Sequence, residues 1–106
     1  MVQEITSNHF SDSNGAPAGG STYAPGLCIA WQNGPLGRGE ERQEPNGCFV
    51  ETVINAAIDR LEYYQQSKFV SDYNARALTA LQQAIAALQE RTADRERRQV
   101  EGTHAK

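Results

Sequence analysis

The sequence predicts an α+β fold, with a small N-terminal β-hairpin or sheet followed by a long antiparallel two-helix hairpin, in an oligomer. Three observations predict it. The composition changes at Pro45, from a stretch rich in Gly, Pro, Ser and Asn to one rich in Ala, Leu, Gln, Arg and Glu. Apolar residues alternate before that point and recur every three or four positions after it. The 106-residue chain has only 39% apolar residues and a mean hydropathy of -0.63. A chain this short buries only about two-thirds of its unfolded surface, so self-association is expected. The organisation is one domain, residues 1–106, with a strand- and turn-rich part (1–45), a helical hairpin (46–99) and a tail (100–106).

Two strands are expected in the first part. Val2 to Phe10 is marked by Val2, Ile5 and Phe10, and Leu27 to Gln32 places Leu27, Ile29 and Trp31 on one face. Between them, Ser11 to Pro25 reads as a long connection with an Asn14-Gly15 turn, and Asn33-Gly34 ends the second strand. An isolated two-stranded sheet is marginal, so it should pack on the helices or on a second subunit. The loop Gly34 to Gly39 lacks the Gly-Lys-Ser/Thr ending of a P-loop. It reads as a flexible turn, or as a support that lets Arg38 or Arg42 add a donor to a neighbouring site.

Asn46 is a fair N-cap for a first helix, in which Val50, Val53 or Ile54, Ala57, Ile58, Leu61 and Tyr64 keep helical spacing to about Gln66. Ser67 to Val70 is a short connector, which forces the next helix antiparallel. Ser71 caps that second helix, and Asp72 sits in its first turn where negative charge is favoured. Leu78, Leu81, Ile85 and Leu88 form its stripe, flanked by alanines that permit close helix approach. Running to near Arg98, it is about 40 Å long.

The helix end carries the clearest chemical signal. Arg91, Arg95 and Arg98 share one face, where guanidinium groups fork onto phosphates or stack on a base. The same arginines also answer the helix macrodipole and the neighbouring glutamates. A net charge of -3 and a pI near 5.3 argue against long nucleic acid but leave room for a small anionic ligand. At the connector, Tyr63-Tyr64 and Tyr73-Asn74 either stack a base and bond a ribose, or close the hairpin core.

Other chemistries find little support. No nucleophile motif is present, and Glu40-Glu41 and Asp94/Glu96 lie in polar segments, so no catalytic residue is expected. Cys28 and Cys48 read as small buried hydrophobes; with His9 and His104 far from them, neither a metal site nor a cofactor is expected. No apolar run spans a membrane and the start lacks a signal-peptide pattern, so cytoplasmic residence is expected.

The segments Trp31-Gln32-Asn33-Gly34-Pro35, Asn46-Gly47, Thr52 to Tyr64, Asn74-Ala75, Arg91-Thr92, Arg95 and Val100-Glu101-Gly102-Thr103-His104 resemble phage anti-Thoeris sponge proteins. Those proteins share a helical-hairpin domain with the anti-CBASS cyclic-nucleotide sponges. The resemblance covers roughly residues 27 to 104, and the Val-Glu-Gly-Thr-His tail after Arg91-Thr92 and Arg95 carries most of it. It implies a protein without catalytic activity, acting in the cytoplasm of the infected bacterial host. Such a protein binds and sequesters a cyclic ADP-ribose isomer as a homodimer or homohexamer, and some members also hold cyclic di- or trinucleotides. By position, it implies ligand binding by Tyr64, Asn74 and Arg91, with Arg95 nearby; Arg38 of the loop and Thr103 of the tail are further ligand-binding candidates.

Overall fold

Pairing, more than intrinsic propensity, makes the N-terminal sheet. The computed structural model describes residues 1–106 and contains three antiparallel strands: β1 (Thr6–Ser11), β2 (Pro17–Ala24) and β3 (Leu27–Asn33), in the order β1-β2-β3. The central strand corrects the expected long connection over Ser11 to Pro25. Its sequence, PAGGSTYA, carries no strand signal of its own, and it becomes a strand because β1 and β3 flank it. β1 starts at Thr6 rather than Val2, and Met1, Val2 and Ile5 lie exposed outside the ladder. The β1–β2 turn is built by Asp12, whose Oδ1 accepts from the Asn14 and Ala16 backbone N–H groups at 2.8 and 2.9 Å.

Directly opposed residues share a face, so Ser7, Thr22 and Ile29 line one side of the sheet. Ile29 and Thr22 are the buried residues of the chain. The Thr22 hydroxyl accepts from Trp31 Nε1 at 2.8 Å and shares a hydrogen bond with Ser7 Oγ at 2.9 Å. Thr6, Tyr23 and Cys28 line the other, exposed side. The expectation of two buried cysteines is therefore corrected: Cys28 is exposed by the same alternation that buries Ile29, and Cys48 is half-buried.

Cys48 covers the outer edge of β3. Its N–H donates to the Ala30 carbonyl at 2.7 Å, and its own carbonyl accepts from Gln32 N–H at 3.0 Å. Asn46 is not a helix cap, because its amide is committed to this edge. Its Oδ1 accepts from Asn33 N–H at 2.8 Å and its Nδ2 donates to the Asn33 carbonyl at 2.9 Å. Between them Gly47 lies so close to β3 that a Cβ there would stand 2.5 Å from the Trp31 carbonyl oxygen.

The chain divides into two compact units, residues 1–49 with 98–106, and residues 50–97. In the first, the tail joins the loop after β3. Gly37 N–H donates to the Gly102 carbonyl at 2.8 Å and Arg38 Nη1 donates to the Glu101 carbonyl at 2.8 Å. The second unit is α1 (Val50–Gln65) and α2 (Asp72–Arg97). Ser71 Oγ accepts from Asn74 N–H at 3.1 Å, the expected cap. Gln65 braces the bend, with Oε1 accepting from Ser71 N–H and Nε2 donating to the Ser71 carbonyl. Leu78, Leu81, Ile85 and Leu88 are only half-buried, and neither helix contains a buried residue.

Candidate functional site

Within the hairpin, the predicted ligand-binding residues collect at two ends. Tyr64 lies one residue from the end of α1, and Asn74 is the third residue of α2. Tyr64 is half-buried, whereas Tyr63, Phe69, Val70 and Tyr73 are all more than half exposed. Of the two readings of this bend, core closure therefore applies to Tyr64 in part and to Tyr63 and Tyr73 hardly at all. Tyr63 and Tyr64 sit with ring centroids 6.1 Å apart and planes tilted by 53°. Asn74 Nδ2 donates to the Phe69 carbonyl at 3.1 Å, which fixes the amide and leaves its oxygen as an acceptor.

Arg60 is a residue that sequence reasoning missed. Its guanidinium carbon stands 4.8 Å from the Tyr63 ring centroid and 5.0 Å from that of Tyr64. The spacing was the available signal, since positions three and four apart on a helix are neighbours. Side-chain hydrogen bonding to Tyr64, then electrostatic interaction with Tyr64, Tyr63 and Asp59, outweighs desolvation and raises the guanidinium pKa above its ordinary value.

At the other end, Arg91 Nη2 lies 3.5 Å from Glu51 Oε1 in the first turn of α1, a contact that the antiparallel hairpin brings about. One nitrogen of the guanidinium is engaged there, and the side chain is 56% exposed. Arg95 follows one turn later and is half-buried, while Arg97 pairs with Asp94 at 3.2 Å. Arg98 lies past the helix end, where Gln99 turns left-handed at φ 60°, and its Nη1 donates to the Lys106 carbonyl. Asn74 and Arg91 are 17 residues apart along one straight element (91 − 74), or about 26 Å. A single hairpin therefore does not bring its aromatic end to its arginine end.

Arg38 and Thr103 belong to the first unit. The Arg38 side chain reaches the tail backbone at Glu101, and the Thr103 hydroxyl shapes the tail turn by donating to the Val100 carbonyl and accepting from Ala105 N–H. A cavity of ≈ 480 Å³ opens between Pro35 and Gln43, but Glu40 and Glu41 outnumber Arg42 on its wall. That charge balance disfavours an anion there. No group of three His, Cys, Asp or Glu side chains is placed to hold a metal ion, and no helix is long and apolar enough to cross a membrane.

The family model described as Acb2/Tad1, hairpin domain, matches residues 29–93, more than half of the chain. The chain belongs to the Acb2/Tad1 hairpin-domain family. The resemblance to the anti-Thoeris sponge proteins is borne out at that level. A protein of Bacillus phage SBSphiJ7 named Thoeris anti-defense 1 is 49% identical over 61 residues, 58% of this chain. The chain spans less than half (43%) of that phage protein's length. Arg38, Tyr64, Asn74 and Arg91 fall inside the span matched by the hairpin-domain family, together with Arg60 and Glu51. Arg95, Thr103, β1 and β2 lie outside it.

Proposed function

We propose that this chain is a phage anti-defence protein that binds a cyclic ADP-ribose isomer, the Thoeris signal, and sequesters it without cleaving it in the cytoplasm of the infected host. The observation that carries this reading is its 49% identity over 61 residues with a phage protein named for countering Thoeris. The hairpin supplies a physical route to it. Its aromatic and amide groups lie at the bend and its arginines at the opposite end. In an antiparallel pair of copies, Tyr64 and Asn74 of one hairpin lie beside Arg91 and Arg95 of the other. Stacking by Tyr64, charge-assisted bonds from the two arginines and the Asn74 acceptor then converge on one nucleotide. A stoichiometric trap needs tight binding, and burial between subunits slows release.

Incubating the purified protein with a panel of cyclic ADP-ribose isomers and cyclic di- and trinucleotides tests this directly. The expected result is removal of a cyclic ADP-ribose isomer from the filtrate and its recovery intact after heat denaturation. Recovery of an altered product would indicate an enzyme. No removal of any compound would point instead to a hairpin that binds a protein partner. Arg91→Ala should weaken capture at least tenfold while changing stability by less than about 1 kcal/mol, since exposed ion pairs contribute no more than that. Wild-type capture by this variant would show that Arg91 is not a ligand contact.

A further inference from the structure

The aromatic platform at the bend already carries a cation. Arg60 stands over both Tyr63 and Tyr64, within 5.0 Å of each ring centroid, on the surface of α1. The second basic residue of the bend, Lys68, rests over Phe69 at 5.4 Å. The rings therefore hold cations where a base would lie.

We infer that Arg60 is itself a ligand-binding arginine, resting on Tyr63 and Tyr64 until a nucleotide base stacks on Tyr64, and then turning to the ligand's diphosphate. The inference rests on the cyclic-nucleotide reading above. Relative magnitudes favour the exchange. A cation–π contact at an exposed site is worth about 2- to 5-fold in an equilibrium constant. Stacking of a base on an aromatic side chain is worth about 5- to 150-fold. The displaced guanidinium then gains charge-assisted bonds to phosphate, for which its planar fork suits it better than an ammonium. Arg60 alone among the bend's cations touches the ring of Tyr64. It is an exposed side chain on a helix surface, so its replacement should leave the fold intact.

The test is calorimetric titration of wild type, Arg60→Ala and Arg60→Lys with the cyclic ADP-ribose isomer that the wild type captures. Arg60→Ala is expected to bind at least tenfold more weakly, and Arg60→Lys between Arg60→Ala and wild type, because an ammonium keeps the charge but lacks the planar fork. Three results would overturn the inference. If Arg60→Ala binds as wild type does, Arg60 is a bystander. If it binds more tightly, Arg60 only obstructs Tyr64. If both variants lose affinity equally, Arg60 serves to hold the rings. A wild type that binds no isomer sinks the sponge reading itself, and this inference falls with it, an outcome distinct from the other three.

Discussion

At the scale of the residue, Thr22 shows how a small core is kept in register. It is 6% exposed, and its hydroxyl links all three strands by meeting Ser7 of β1 and Trp31 of β3. Replacing it with valine keeps the shape but leaves the Trp31 Nε1–H without an acceptor. An unpaired buried donor costs about 1–3 kcal/mol, so Thr22→Val should lower the urea midpoint correspondingly with little change in slope. A midpoint within error of wild type would show that Trp31 finds water instead. Asp12 offers a pH-dependent counterpart. The Ala16 and Asn14 N–H groups, with a smaller contribution from His104, hold its pKa below the ordinary 3.8, while desolvation opposes them. A depressed carboxylate pKa stabilises the fold above the unfolded value, and that contribution is lost as pH falls through the folded value. The Asp12 carboxyl carbon should therefore titrate with a midpoint below 3.8, and the turn amides of Asn14 and Ala16 should lose their hydrogen-bonded shifts over the same acidic range.

At the scale of the element, both helices were legible because their stripes repeat over 16 and 26 residues, and Ser71 announces the second. β3 was legible from Leu27, Ile29 and Trp31. β2 was not, because a strand made of Pro17, Ala18, Gly19, Gly20 and Ser21 exists through its neighbours' hydrogen bonds, which no local pattern encodes. Asn46 misled for a related reason: its side chain is equally suited to a cap and to an exposed strand edge, and only the approach of β3 decides between them. In the candidate site, Tyr64, Asn74 and Arg91 could be read from a resemblance, but the seat of Arg60 on two rings depends on rotamers. The tail–loop contact was equally illegible and makes its own prediction. Gly102 has φ 82°, and a Cβ there would stand 2.3 Å from the Gly37 carbonyl oxygen. Gly102→Ala should detach the tail from the loop, seen as faster amide exchange at Gly37 and Thr103 with exchange in the middle of α2 unchanged. Unchanged protection at Gly37 would mean that the loop holds its shape without the tail.

At the scale of the whole molecule, little of the chain is buried: no side chain is fully buried, and α1 and α2 have no buried residue. Two helices bury one seam between them, and their leucines and isoleucines gain the rest of their burial only from something further. The proposed pairing of hairpins meets that need and the need for a complete ligand site together, since the bend and the arginine end of one hairpin are about 26 Å apart. Sedimentation velocity at micromolar concentration should accordingly give a mass at least twice 11.6 kDa. Replacing Phe69 and Tyr73 by serine, both of them exposed large side chains at the bend, should shift the boundary toward the monomer and weaken ligand capture in parallel. A monomer that still captured the nucleotide with full affinity would show that one hairpin end suffices, and would break the link drawn between assembly and site. A monomer that captured nothing at any concentration would point instead to a partner of another sequence covering these helices.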